Sequence, residues 1–212
     1  MRKWKKLLLP AMCAFMLQIP VIVNAEAVDS SNNVTSAVET PVATPTPALL
    51  DGIVKKGSRT YFYKNGVMQK NCWSPDKKQY FGKNGVAYAA PKVSGCKKNI
   101  VVKKIGKKYY GFDRNGFKVK KGVYADAKGT PYYFDKKGVR VAKKSNQLKA
   151  VSKYMADGAV LRKLLGRPSK TKTLSSCMTG ISKDLKLTYA NIFVQLGKKT
   201  TGGEIVYGVQ AR

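Results

Sequence analysis

Histidine is absent from this sequence of 212 residues, and acidic residues are scarce, with 11 Asp and Glu against 41 Lys and Arg. Without histidine there is no Ser-His or Cys-His nucleophile pair and no histidine-ligated zinc site. Glycosidase chemistry needs two carboxylates that face each other across a cleft, whereas the few acids here are scattered along the sequence. We therefore expect a protein that is not an enzyme and that binds neither a cofactor nor a metal ion.

Long apolar runs are also missing, except for one near the N-terminus. Residues 1–6 carry four basic side chains, residues 7–23 are largely apolar, and small residues follow. This order predicts a secretory signal peptide over residues 1–25, with cleavage after Ala25 or, alternatively, after Ala27. The apolar run is short for a membrane-spanning helix. We expect an exported protein of the cell surface or cell wall, with no membrane span once the signal peptide is removed.

Three cysteines follow the predicted cleavage site, namely Cys72, Cys96 and Cys177. An odd number excludes a fully paired intramolecular framework. Cys72 and Cys96 lie in neighbouring repeats, and the spacing fits a disulfide between them as well as two separate thiols. Cys177 has no base that would activate it, so we expect it in a core position.

Positive charge is distributed unevenly along the chain. Removal of the four basic residues of the signal peptide leaves 37 Lys and Arg against 11 acids, a net charge of about +26. Residues 26–51 contain no basic residue, residues 52–145 contain 25 against four acids, and residues 146–212 contain 12 against three. Such a surplus predicts an anionic partner, such as a wall-polymer phosphate, an acidic glycan or a lipid headgroup. No nucleic-acid partner is expected, because no motif accompanies the charge.

Residues 26–51 are rich in Ser, Thr, Val, Ala and Pro. Spaced prolines favour extended conformers, and the segment has too few large apolar residues to form a core. We interpret it as a disordered Thr/Pro-rich linker.

An aromatic strand followed by a glycine turn occurs four times in residues 52–145. The turn glycines are Gly66, Gly85, Gly116 and Gly138. A phenylalanine stands four positions before each of them, namely Phe62, Phe81, Phe112 and Phe134. Alternating apolar residues after each turn are typical of half-buried strands, and Asn-Gly pairs in three copies favour hairpin turns with both residues at positive φ. Because one hairpin is marginal in water, the copies are expected to stack with the phenylalanines as their core.

The character of the sequence changes near residue 146. Helical spacing over residues 148–155 and 159–165 is followed by predicted strands over residues 185–196 and 204–210. The predicted fold class is therefore mainly β: a β-hairpin repeat solenoid over residues 52–145, followed by a small α+β unit over residues 146–212. This unit is either half of a larger module or packs on the last hairpin.

Two sets of side chains are candidates for ligand contact. Aromatic residues that alternate with the core positions could form shelves for sugar faces or quaternary ammonium groups, although a structural role fits them equally well. They are Tyr61, Trp73, Tyr80, Tyr110, Tyr124, Tyr132 and Tyr133. Basic residues in or near the turns are candidates for contact with an anionic polymer. They are Lys77, Lys78, Lys107, Lys108, Lys136, Lys137 and Arg140.

The segments Trp73–Phe81 and Gly122–Phe134 carry a resemblance, with an aromatic residue, a polar turn and then Tyr-Phe. This layout resembles the cell-wall-binding repeats of choline-binding and glucan-binding proteins of Gram-positive bacteria, and it is similar to the receptor-binding repeats of clostridial toxins. The resemblance covers about residues 52–145 and implies a hairpin solenoid that binds choline on teichoic acid, or carbohydrate. The repeats depart from the choline pattern because a second Trp is missing and Lys is abundant. The C-terminal stretch is similar to small uncharacterised domains appended to such repeats.

These observations predict a secreted, non-catalytic surface protein whose repeats bind anionic wall polymer, such as teichoic acid, or carbohydrate. The repeats would then display the C-terminal unit. One alternative is an adhesin or toxin-like protein that recognises host glycans. Another is a protein-binding or inhibitory domain in residues 146–212, with the repeats as its tether.

Overall fold

Residues 49–212 are described by the computed structural model of the protein. The predicted signal peptide, and all but the last three residues of the predicted linker, lie outside the described residues. Between residues 49 and 212, no helix is long and apolar enough to cross a membrane.

Four small antiparallel units make up the first part of the described chain. Unit one contains β1 (Gly52–Lys56), β2 (Arg59–Lys64) and β3 (Val67–Met68); unit two contains β4 (Cys72–Trp73) and β5 (Tyr80–Phe81); unit three contains β6 (Val101–Ile105) and β7 (Lys108–Phe112); unit four contains β8 (Gly122–Ala125) and β9 (Pro131–Phe134). In each unit the chain turns at a glycine and passes back beside the second strand. This return segment is β3 in unit one and a single bridge in the others: Phe81 with Ala87, Phe112 with Lys118, and Phe134 with Arg140.

The turn before each return segment differs in part from the predicted one. In unit one both Asn65 (φ 50°) and Gly66 (φ 76°) are left-handed, as predicted. In the later units only the glycine is left-handed, so the prediction was wrong for Asn84 and Asn115. There the glycine N–H donates to the carbonyl three residues earlier, as Gly116 does to Asp113 at 3.1 Å. Only the last residue of such a turn needs a positive φ, and the asparagine stays in an ordinary conformation.

Backbone hydrogen bonds join each return segment to the preceding unit. The donor stands two residues after the turn glycine in every case. The N–H of Ala87 donates to Thr60 O at 2.9 Å, that of Lys118 to Lys78 O at 2.7 Å, and that of Arg140 to Tyr109 O at 2.8 Å. We call these three contacts the junctions. They fix which side chains of neighbouring units meet.

The repeated phenylalanines form the core of the array. Phe81, Phe112 and Phe134 have no exposed surface, whereas Phe62 of unit one is only partly buried. The third copy has Gly111 where the others have Tyr, and the structure explains the exception. A Cβ on Gly111 would lie 2.6 Å from Cζ of Phe134 and 2.8 Å from Val119 Cγ2. The ring of unit four therefore fills the space that a side chain in unit three would need.

The C-terminal unit consists of two helices and a four-stranded antiparallel sheet. Its elements are α1 (Ala142–Val151), α2 (Gly158–Leu165), β10 (Lys170–Ser175), β11 (Ile181–Thr188), β12 (Ile192–Lys199) and β13 (Glu204–Ala211), with the strands in sequence order across the sheet. The mainly β fold class predicted from the sequence is confirmed.

Several boundaries in this unit were predicted wrongly. The single strand over residues 185–196 is two strands, because the chain turns at residues 189–191 and the Tyr189 N–H donates to Ile192 O at 2.9 Å. Strand β10 was missed, since all of its residues are exposed and it shows no apolar alternation. Helix α1 begins at Ala142, six residues before the predicted start, without a side-chain cap or an acidic first turn to mark it.

The C-terminal unit packs on unit four, which is one of the two arrangements that the sequence left open. Ala125 of β8 belongs to the same buried cluster as Leu161 of α2 and Leu187 and Val194 of the sheet. The Tyr133 N–H donates to Ser145 Oγ at 3.1 Å, which ties β9 to α1. The core of the small unit is thus completed by the last hairpin.

The fit at Gly111 gives a test of the stacking. We expect Gly111→Ala to lower the free energy of unfolding by about 1–3 kcal/mol, because the added methyl forces Phe134 or Val119 to move. Gly208→Ala is the matched control, since a Cβ there meets nothing within 4 Å. Urea unfolding followed by circular dichroism measures both variants. Equal effects of the two substitutions would contradict the proposed contact.

Candidate binding surface

Residues 49–212 carry 37 Lys and Arg and eight acids, and each of the eight carboxylates accepts a hydrogen bond from the chain itself. The acids are Asp51, Asp76, Asp113, Asp126, Asp135, Asp157, Asp184 and Glu204. Five of them serve turns of the repeat units. Asp157 caps helix α2 at Ala159 N, Asp184 accepts from Tyr207 Oη at 3.0 Å, and Glu204 pairs with Arg162.

An Asp-x-x-Gly turn occurs three times with the same hydrogen bonds. Asp113 Oδ1 accepts from the N–H groups two and four residues later at 2.9 and 2.8 Å. Asp126 does so at 2.9 Å for both, and Asp135 at 2.8 Å for both. A carboxylate satisfies two amides that the tight turn leaves without backbone partners. These three carboxylates therefore stabilise turns, and none of them lies within 4 Å of a basic side-chain nitrogen in residues 49–212.

Ion pairs are correspondingly rare in residues 49–212. Lys78 Nζ lies 3.3 Å from Asp76, and Arg162 Nη1 lies 2.6 Å from Glu204. The remaining 35 of the 37 basic side chains in this range have no carboxylate of residues 49–212 within 4 Å. The positive charge predicted from composition is therefore not neutralised within the described fold.

The predicted polymer-contacting lysines are exposed and lie in or beside turns. Lys77 and Lys78 belong to the turn of unit two, Lys107 and Lys108 to the turn of unit three, and Lys136 and Lys137 to the Asp135–Gly138 turn of unit four. Arg140 is different, because it is half-buried at a junction and its guanidinium carbon lies 4.5 Å from the ring centroid of Tyr109.

Three of the seven predicted shelf residues come together where units two and three meet. The ring centroid of Trp73 lies 5.2 Å from that of Tyr80 and 5.1 Å from that of Tyr110, with interplanar angles of 74° and 77°. Tyr88 stacks on Tyr80 at 5.5 Å, and the buried Phe112 closes the cluster at 6.0 Å from Trp73. Tyr88 was not among the predicted site residues.

The other four predicted shelf residues are partly buried elsewhere. Tyr61 bridges to Val86 at the first junction. Tyr124 packs edge-on against Phe134 and donates its hydroxyl to Lys120 O at 3.1 Å, while Tyr132 donates to Asp126 Oδ2 at 3.4 Å. Burial raises the pKa of both phenols. Tyr133 contacts the core shared with the C-terminal unit.

Cations of the chain itself lie over several of these rings. The Lys118 Nζ is 4.7 Å from the Trp73 centroid and 5.7 Å from the Tyr110 centroid. The distance from the lysine Nζ to the ring centroid is 5.4 Å for Lys103 and Tyr88, 4.2 Å for Lys144 and Tyr133, and 4.3 Å for Lys149 and Tyr132. Such distances are typical of cation–π contacts. These four lysines were not predicted from the sequence, because their contacts depend on how the units and helix α1 are placed beside each other.

Cysteine side chains do not form pairs in the described range. Cys72 and Cys96 are half-buried free thiols, and burial raises the pKa of Cys72. Cys96 packs against the core of the C-terminal unit. Cys177 is exposed in the connection between β10 and β11, so its predicted core position was wrong. The strand before it is fully exposed, and no apolar layer reaches that connection.

A cavity of about 470 Å³ lies between unit four and the C-terminal unit. Its floor includes Leu148, Tyr189 and Ile192, which also belong to the core. The basic residues in its wall are Lys121, Lys144 and Arg167, and no carboxylate lines it. The surplus of cations thus continues from the repeats to the C-terminal unit.

No family model and no curated protein matches this chain. Among solved structures, it is similar to a truncated alternansucrase from Leuconostoc mesenteroides, with 16% identity, a TM-score of 0.35, and coverage of 73% of this chain and 10% of that one. It is also similar to a multimodular pneumococcal cell wall endolysin from phage Cp-1 complexed with choline, with 13% identity, a TM-score of 0.35, and coverage of 73% and 36%. A third similar structure is the modular Cpl-1 endolysin complexed with a peptidoglycan analogue, with 13% identity, a TM-score of 0.34, and coverage of 74% and 37%. The chain thus spans about a tenth of the sucrase and little more than a third of the endolysins.

The Asp-x-x-Gly turns can be tested without touching the basic surface. We expect Asp135→Ala to lower the free energy of unfolding by about 1–2 kcal/mol, because the N–H groups of Lys137 and Val139 lose their acceptor. Asp135→Asn retains a side-chain oxygen at the same position and should cost less than half as much. Thermal unfolding of both variants measures the difference. An Asn variant as unstable as the Ala variant would show that charge, and not the hydrogen bonds, is what matters.

Proposed function

We propose that this chain is a secreted, non-catalytic cell-surface protein whose repeat units bind an anionic cell-wall polymer of the teichoic-acid type. The observation that carries the proposal is that 35 basic side chains in residues 49–212 have no carboxylate of the same residues within 4 Å. All eight acids of that range already accept hydrogen bonds from the chain. Such a cationic surface would bind an external polyanion.

The arrangement of the lysines favours an extended ligand over a small one. Exposed pairs occupy one turn in each of units two, three and four, and the units follow each other along the array. A single exposed charge pair contributes little, about 0–1 kcal/mol. Several weak contacts made at once by a repeating polymer raise the affinity by orders of magnitude. A repeating phosphate backbone is therefore a better match than an isolated phosphate.

Lys77 and Lys120 lie near Lys118, at the junction of units two and three. Burial lowers the pKa of Lys118, the ammonium groups of Lys120 and Lys77 lower it further, and the Asp135 carboxylate raises it. Mutual repulsion of this kind is relieved when an anion binds between the charges. We propose this group as a principal contact for a polymer phosphate.

Binding without catalysis is supported by the roles of the acids. The carboxylates that could act as general acid or base already make contacts within the chain. They accept hydrogen bonds in turns, at a helix N-terminus, from a tyrosine hydroxyl and from an arginine. Each of these roles engages at least one carboxylate oxygen of the residue. We propose that the chain acts by attachment, with the C-terminal unit held at the surface by the repeats.

Sedimentation with purified cell walls, prepared with and without teichoic acid, tests the proposal. We expect binding to walls that retain the polymer, and a steep loss of binding as salt rises. The reason is that the screening length shrinks from about 10 Å at 0.1 M to about 3 Å at 1 M salt. Binding that is unaffected by salt, or equal on walls without teichoic acid, would contradict an ionic wall-polymer interaction. Salt-insensitive binding to a glycan array would favour carbohydrate recognition instead.

Paired substitutions locate the contact on the repeats. We expect Lys77→Gln with Lys120→Gln to weaken wall binding at low salt by about three- to tenfold, from the loss of two surface charge contacts. Lys198→Gln with Lys199→Gln is the matched control, because it removes the same charge from exposed positions near the β12–β13 turn. Equal losses in the two double variants would mean that net charge alone drives binding, and would contradict a site on the repeats.

A further inference from the structure

The residue two positions after the turn glycine is a cation in units three and four. It is Lys118 after Gly116 and Arg140 after Gly138, whereas unit two has Ala87. The backbone N–H of each donates to the preceding unit at a junction, so its side chain starts at the boundary between two units. In both cases the cationic group lies over an aromatic ring of the preceding unit: Lys118 over Trp73, and Arg140 over Tyr109. The register of the repeats thus places a cation at the boundary between units two and three and at the boundary between units three and four.

At the boundary of units two and three the cation meets two rings. Trp73 and Tyr110 have centroids 5.1 Å apart and planes at 77°, so together they form a two-walled aromatic corner. The Lys118 Nζ lies 4.7 Å from one centroid and 5.7 Å from the other. The Lys118 side chain is half-buried. The rings of Tyr80 and Phe112 also contact the ring of Trp73. This arrangement is a cation site that the chain already fills.

We propose that Lys118 is the resident cation of the aromatic corner and that it closes the corner to external quaternary ammonium ligands, which bind there only when Lys118 is replaced. This inference rests on the proposed function and makes it more specific. The repeat units would bind the phosphates of a wall polymer and not the ammonium groups that such a polymer carries. Lys118 is then a residue that determines specificity, and the corner is a latent site for a compact organic cation.

The tethered ammonium of Lys118 competes with a free cation for the space between the two rings. An ammonium attached to the same fold is present at an effective concentration of about millimolar or more. A free cation gains only a weak contact from two aromatic faces. It must also approach Lys118, Lys77 and Lys120, three cations whose repulsion only one nearby carboxylate, that of Asp135, opposes. Removal of the Lys118 ammonium vacates the space between the rings and removes the nearest repelling charge in one step.

Titration with tetramethylammonium chloride tests the proposal on the full-length protein. Trp4 is replaced by Phe, which leaves Trp73 as the only tryptophan and its emission as the readout. We expect no saturable change in Trp73 emission for the protein with Lys118 and a saturable change for Lys118→Ala. The affinity of the variant should be at least about tenfold above the highest value that the titration of the Lys118 protein allows. Sodium chloride at equal ionic strength and neopentyl alcohol, a neutral analogue of similar shape, are the ligand controls. Equal binding by neopentyl alcohol would contradict a cation site.

Lys120→Ala is the matched protein control, because it removes a neighbouring charge that lies over no ring. It should behave like the Lys118 protein, and a gain of binding equal to that of Lys118→Ala would overturn the proposal by showing that any charge loss suffices. Tetramethylammonium binding by the Lys118 protein itself, or no binding by a folded Lys118→Ala variant, would also overturn it. If circular dichroism shows that Lys118→Ala is unfolded, Lys118→Gln is held to the same tenfold criterion.

The two proposals fail separately. Loss of salt-sensitive wall binding by the unmodified protein would refute the proposed function and leave the titration result standing. A negative titration would refute the closed corner and leave wall binding untouched.

Discussion

One β-hairpin cannot bury its own apolar face, so each unit of this array depends on its neighbour. The phenylalanine of each later unit packs against the unit before it: Phe81 against Phe62, Phe112 against Trp73, and Phe134 into the space beside Gly111. One backbone hydrogen bond at each junction holds this overlap in register. The aromatic cluster of units two and three is a consequence, because the register that buries Phe112 also brings Trp73 beside Tyr110.

The two signs of charge have separate tasks in the fold. The carboxylates of residues 49–212 accept hydrogen bonds from the chain itself, mostly in tight turns whose amides would otherwise lack partners. Basic residues are used outside it or against aromatic faces, and only two of them pair with an acid in residues 49–212. The unpaired like charges repel each other, which opposes the compact state. An external anion that binds between them would relieve this repulsion.

The parts of this structure that carry the repeated motif could be predicted from the sequence. The spacing from each phenylalanine to its turn glycine gave the strand, the turn and the buried position together, and only Phe62 is less buried than expected. The long-range arrangement could not be predicted, because Lys118 and Trp73 are far apart in sequence and meet only through a junction. In the C-terminal unit, the turn after Tyr189 carries no Gly or Pro, and strand β10 has no buried face. Neither feature leaves the periodic signal from which strands are read.

The shared core of unit four and the C-terminal unit gives the array a direction. At one end, Ala125 is sealed beneath the helices and sheet of the small unit. At the other, Ile53 and Val67 of unit one are 47% and 64% exposed. An additional hairpin before unit one would leave this shared core intact. Insertion after unit four would separate two halves of one core, so a lineage of longer or shorter relatives would vary in the number of units at the first end and keep the last unit fixed to its partner.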